Sequence, residues 1–281
     1  MLESTPPVCR TDNRHVPRRL AATVVVLAAL SHLCALAAPA AAGETRLSAK
    51  YVISVAGFPV GKADLNYALN DRGYTVDGFG RTSGVVRLFS DGEGKASAKG
   101  ILNGTHPVPG AYSYDVTEDG DKETLTMAFS GNRVGAVELD PPEHPALQKR
   151  KVPLESAHKV DVLDPLSALF IPAGADNVCD RILPIFDGVQ RFDLLLSPKR
   201  TDYFSSERRS FKGRVVVCAV SYRPIAGHRA DKKEVQYMQR NSGMEIWMAP
   251  LGNTGIMAPV SARLKTQVGL LVVDATRFQL Q

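Results

Sequence analysis

The sequence predicts an all-β protein, mainly antiparallel, whose strands build one large curled sheet accompanied by one or two short helices. Three observations carry this expectation. Apolar residues recur at period two along most of the chain, the 23 glycines and 18 prolines are spread as turns would be, and a single short stretch reads as helix. Strands numbering about a dozen cannot lie in one flat layer, so the sheet must curl, close or stack. The 281 residues, 44% hydrophobic and 22% charged, are those of a globular chain rather than a disordered or fibrous one.

The first element is not part of that sheet. Arg14, Arg18 and Arg19 precede an uncharged run from Leu20 to Ala38, which leads into Pro39, three alanines and Gly43. A basic start, an apolar stretch and an Ala-x-Ala end at Ala42 make a secretory signal peptide over residues 1–42, in preference to a membrane anchor of similar length. Cys34 follows Leu33, which is too large for a lipidation site. Residues 43–281 are then a single exported β domain, periplasmic and not membrane-spanning, since the later apolar run Leu270 to Val273 stops at Asp274. The export segment holds four arginines and two acids, which leaves +3 of the total net charge of +5 on the exported domain, too little to argue for nucleic acid.

The strands follow in order. Tyr51, Ile53 and Val55, then Ala63, Leu65, Tyr67 and Leu69, define two strands separated by the turn Gly57–Gly61. After Asp71, Arg72 and Gly73 come Tyr74 to Phe79, Tyr112 to Val116, Leu125 to Phe129 and Arg133 to Leu139, a meander with Asp119 and Gly120 at one reversal. Pro141, Pro142 and Pro145 break the pattern and read as a surface connection. Asp164 before Pro165 is a helix start, with Leu166, Leu169 and Phe170 as the apolar side and Pro172 as the stop. Strands resume at Ile182 to Phe186 and Arg191 to Leu196 around the hairpin signal Asp187-Gly188. Val215 to Tyr222, Met244 to Met248, Pro259 to Lys265 and Val268 to Phe278 complete the series. Export removes Cys9 and Cys34, so Cys179 and Cys218 remain as a pair in an oxidising compartment, and a structural disulfide is expected ahead of a redox or metal site.

No motif for a nucleophile, a phosphate, a dinucleotide or a metal is present, so neither a cofactor nor a catalytic residue is assigned. His106, His144, His158 and His228 show no ligand spacing and read as exposed loop residues. Charge is most uneven from Lys199 to Lys233, where ten basic residues meet three acidic ones. Arg208, Arg209, Lys212 and Arg223, interleaved with aromatic residues, are candidates for binding an anionic envelope component or an acidic partner protein. The competing reading is a pair of solvated hairpins with compensating acids on neighbouring strands. The densest polar motif runs from Asp187 to Leu194: Asp187 and Gly188 turn the chain, Arg191 and Asp193 share an outward face, and Phe192 and Leu194 point inward.

The stretch Phe186–Leu194 resembles a hairpin of the bacterial domain-of-unknown-function family number 3108, as do Cys218–Gly227, Ile246–Pro250 and the early turn Gly57–Gly61. The resemblance covers most of the exported chain and implies an exported β protein with no established activity; the expectation that its sheet takes an open-barrel or spiral-like form rests on strand number and chain length. The functional expectation is a non-catalytic periplasmic protein of cell-envelope maintenance that binds a partner protein or an envelope component. The alternative is a carrier that encloses a lipid or other hydrophobic ligand in a barrel-like cavity. An enzyme would need His228, Asp187, Arg191 or Tyr222 to converge in a cleft.

Overall fold

The computed structural model describes residues 43–84, 87, 91–173, 178–207 and 210–281, so residues 1–42, expected to be an export signal, and the candidates Arg208 and Arg209 lie outside the described residues. The chain divides into the units Met1–Ala41 and Ala42–Gln281, and everything described here belongs to the second.

Seven strands come first: β1 (Thr45–Val55), β2 (Phe58–Asn70), β3 (Gly73–Thr82), β4 (Gly92–Asn103), β5 (His106–Glu118), β6 (Asp121–Ser130) and β7 (Arg133–Asp140). Each pairs antiparallel with the next, and all but β3 and β4 are joined by tight turns, in four of which Gly57, Gly104, Gly120 and Gly131 take positive φ. A connection follows, with the short helix α1 (Pro145–Gln148), two 3-10 turns (Ser156–Lys159 and Ser167–Leu169) and the two-residue strand β8 (Ile171–Pro172). Next come β9 (Arg181–Phe186), β10 (Arg191–Ser205), β11 (Lys212–Ala226), helix α2 (Lys233–Arg240), β12 (Met244–Pro250), β13 (Ile256–Thr266) and β14 (Gly269–Leu280). The sheet order is 7-6-5-4-3-2-1-14-13-12-11-10-9, with β8 attached to β13. Two meanders are thus joined where the first strand of one pairs with the last of the other, over the register Leu47–Leu280 to Val55–Leu271.

The sheet is open, and its two end strands are brought together by the connection. Val160 bridges Arg133 at the start of β7, Leu163 bridges Ile185 in β9, and the Asp161 and Leu163 amides donate to Asn132 and Pro184 carbonyls at 2.7 and 2.8 Å. One apolar cluster spans this junction, combining Leu125, Met127 and Val134 from one meander with Val162 and Phe186 from the far side. Past the junction the connection turns into the core. Phe170, 1% exposed, sits with its ring 5.1 Å from Tyr67 and 4.8 Å from Tyr74, among Leu47, Val217, Trp247 and Val260. A second cluster, built on Ile171, Leu183, Ile185, Leu196 and Met248, surrounds the disulfide between Cys179 and Cys218. The expected bridge is therefore present, and it ties the turn before β9 to the middle of β11.

Four differences from the sequence expectation have local causes. The start at Asp164 yields one 3-10 turn rather than a helix, because Pro172 and the pairing of Ile171 with Met257 pull the chain back to extended form. The longer helix is α2, whose Lys, Glu, Gln, Met and Arg are good helix formers with Glu234 in the first turn and Arg240 in the last. Strand β4 escaped notice because Gly92, Gly94, Ala96, Ala98 and Gly100 offer little β propensity; these small residues lie between partner strands that impose the pairing. Strand β10 likewise continues past Pro198 to Ser205, since a register shift between Pro198 and Arg200 absorbs the proline.

Candidate functional site

The motif from Asp187 to Asp193 turns β9 into β10. The Asp187 carboxylate accepts the Val189 amide at 2.8 Å and the Gln190 amide at 2.6 Å, which closes the turn without further residues. Burial pushes its pKa above the usual carboxylate range, against the pull of those amides and of Lys151. Gly188 has φ +102°, and a Cβ there would lie 2.2 Å from the Leu125 side chain, so the turn can approach β6 only as glycine. Gly227 is held in the same way, with φ +78° and a Cβ position 2.1 Å from the Val189 carbonyl.

Arg191 and Asp193 do share a face, but that face is covered: Asp193 is only 4% exposed. Its Oδ1 accepts from Arg191 Nη1, and its Oδ2 accepts from Arg223 Nε at 3.0 Å and from Nη2. Arg223 stands directly opposite Asp193 in the β10–β11 register. The outward reading of Asp193 is corrected accordingly: a carboxylate held by two guanidinium groups can be buried where an isolated one cannot. The three residues clamp one end of the hairpin, while Phe192 and Leu194 pack on the opposite face against the disulfide cluster.

Half of the described basic residues of the segment are answered by acids, while Lys212, Arg214, Lys232 and Lys233 are exposed with no ion pair among the described residues. Lys199 Nζ lies 2.6 Å from Glu245, Arg200 contacts both Glu245 and Asp202, Arg223 holds Asp193, and Arg229 pairs with Asp231 at 2.8 Å. Glu245 belongs to β12, so strand pairing supplies the compensation. Burial raises the Glu245 pKa, but Lys199, Arg200 and the Trp247 indole outweigh it and hold the carboxyl at about 2. Trp247 in turn lies between Arg200 and Arg263, at 5.0 and 4.3 Å from the ring centre. Lys212 is exposed at the opposite end of β11 from Arg223, so these described candidates do not converge.

Sequence reasoning missed two groups. His228, expected on the surface, is 7% exposed, and its Nδ1 has no hydrogen-bond partner. Its carbonyl accepts the Val152 amide at 2.9 Å, which pins the connection to the end of β11. Asp164, fully buried, accepts the Leu166 and Ser167 amides at 3.0 and 2.9 Å and also the Ser167 hydroxyl, which contacts Tyr74 Oη at 2.6 Å. Burial pushes Asp164 above the ordinary carboxylate range. The Asp164-Pro165 cap signal was legible; its burial was not, because nothing local says that a capped turn will enter the core.

Two clefts lie elsewhere on the sheet, the second of them next to His228 through Gly227. A cavity of about 340 Å³ lies between the outer side of β1–β3 and Glu207 at the β10–β11 tip, with Lys50, Lys62 and Arg81 on its wall. Another of about 650 Å³ runs beside β7 against residues 152–154 and Gly188, Val189 and Gly227. Among the described residues no group of three His, Cys, Asp or Glu side chains is placed to hold a metal ion, and no helix is long and apolar enough to cross a membrane.

A model of the family described as protein of unknown function (DUF3108) matches residues 50–276. No curated protein matches the chain. Among solved structures, the β-barrel-like protein of domain of unknown function DUF1849 from Brucella abortus superposes with a TM-score of 0.50 over 86% of this chain and 98% of that one. Identity between the two is 8%, so the likeness is one of fold.

Proposed function

The chain belongs to the family of proteins of unknown function DUF3108, and from that premise, which carries a fold and no reaction, we propose a non-catalytic binding protein of the periplasm that serves cell-envelope maintenance. The observation that carries the reading is the path of the connection. Phe170, Leu166 and Leu169 fill the space between the two meanders that a carrier would keep for its ligand. Recognition is then left to the outer surfaces and to the junction between the sheet ends. A carrier would have to expel Phe170 from contact with Tyr67 and Tyr74, and no charge or hydrogen bond at that position favours its leaving.

The export signal in residues 1–42 and the paired Cys179 and Cys218 support a periplasmic setting, where disulfides persist. The ligand class is a partner protein ahead of an anionic component, because Lys199, Arg200, Arg223 and Arg229 already hold acids, which leaves the free cations Lys212 and Arg214 at one end of the described hairpin instead of a continuous basic patch. Native mass spectrometry of the protein isolated from its own envelope tests this. A co-purifying polypeptide at fixed stoichiometry is expected. A lipid bound one to one would return the protein to the carrier class, and turnover of an envelope substrate would make it an enzyme.

A further inference from the structure

The two ends of the sheet are treated differently by the fold. Strand β9 is held over its last three residues: the Leu163 amide donates to the Pro184 carbonyl, and the Phe186 amide donates to the Leu163 carbonyl at 2.9 Å. Strand β7 is bridged only at Arg133, and from Val134 to Asp140 no strand among the described residues pairs with its outer edge. That stretch contains neither lysine nor proline, and the charges that guard its free edge are acidic, Glu138 and Asp140. Its Val137–Leu139 part forms one wall of the cleft of about 650 Å³. The far wall is fixed, with Val152 tied to β11 through hydrogen bonds of 2.9 Å to His228 and from Gly227. Val137, Leu139, Val152, Leu154 and Val189 line the cleft, all half-buried.

We propose that this junction receives an extended segment of a partner protein, which pairs with β7 from Val134 to Asp140 and completes the unclosed part of the sheet. The inference rests on the partner-binding reading above and specifies where and how binding occurs. Unpaired amides and carbonyls at a strand edge are matched by another extended backbone. Alternation along β7 sets the side chains of that backbone. Val137 and Leu139 face the apolar side, so every second partner residue is apolar. Glu138 and Asp140 are exposed and have no ion pair among the described residues, whereas nearby Glu143 already holds Lys151. The intervening partner residues are therefore basic, placed across from Glu138 and Asp140.

The test uses the exported domain and a fluorescent peptide of alternating valine and lysine. Three comparisons are made: the same peptide with alternate amides N-methylated, a peptide with glutamate in place of lysine, and the protein carrying Glu138→Lys and Asp140→Lys. Binding is expected for the first peptide, with slower hydrogen exchange at Val134 to Asp140. N-methylation removes it, and either charge reversal weakens it about tenfold, the worth of two cross-strand charge pairs. Both substituted positions are exposed, so the variant folds, which its unchanged melting temperature checks. Equal binding of the N-methylated peptide, protection elsewhere in the sheet, or no binding of the first peptide overturns the proposal. A polypeptide that co-purifies equally with the wild type and the charge-reversed variant also overturns it while leaving the partner-binding reading in place.

Discussion

Asp164 shows how one residue links a local signal to the core. Its carboxylate caps a turn, anchors Ser167 and through it Tyr74, and is fully buried. Replacing it with alanine leaves the Leu166 and Ser167 amides without their acceptor and is expected to lower stability by about 2 kcal/mol in urea unfolding. Asparagine keeps one acceptor and is expected to cost less. The pH dependence follows from the raised pKa, which burial causes. The native state holds this proton more tightly than the unfolded chain, so the contribution is complete below the ordinary carboxylate value and is lost as pH rises through the folded one. In Asp164→Asn that dependence disappears. A wild type whose unfolding curve in this window matches the variant's would show that Asp164 is not the titrating group. Asp193 is buried like Asp164, yet it is held by two arginines, which is why hydrogen bonding and charge pairing must be judged residue by residue.

At the scale of elements, the hairpin of β10 and β11 organises the second meander. Its ends are fixed by different chemistry, the Arg191–Asp193–Arg223 clamp at one and aromatic packing of Phe204 and Phe211 against Trp247 and Phe278 at the other. The Cys179–Cys218 disulfide joins this hairpin to the connection across a sequence separation of 39 residues. In the chain-entropy model such a loop contributes about 4 kcal/mol by restricting the unfolded state. Reduction, or Cys179→Ala with Cys218→Ala, is expected to lower the denaturant midpoint with little change in the native circular dichroism. Unchanged stability on reduction would mean that packing of Ile171 and Met248 around the sulfurs suffices alone.

For the whole molecule, the decisive feature is that the connection between the meanders is both latch and filling. Residues 160–163 join β7 to β9, and Phe170 occupies the centre of the largest cluster. Phe170→Ala is expected to cost about 3–5 kcal/mol, the usual penalty for deleting a buried aromatic ring. It should also create binding of a hydrophobic dye that the wild type lacks. Loss of stability without dye binding would show that the meanders collapse onto the vacated space rather than keeping a cavity.

The sequence by itself determined the strand-forming segments with clear alternation, the turns at Gly57, Asp119-Gly120 and Asp187-Gly188, and the cysteine pair, because each depends on neighbours along the chain or on counting. It also determined which residues were charged in the β10–β11 region, though not that Glu245 from β12 would answer Lys199 and Arg200. Tertiary structure alone decided that β4, poor in β propensity, would pair between β3 and β5, and that Asp193 and His228 would be buried. It also decided that the first and last strands would meet inside the sheet and leave β7 and β9 at its two ends. The physical reason is the same in each case. Alternation fixes which way a side chain points from its strand, while what covers that face is supplied by segments distant in sequence, whose pairing no local pattern encodes.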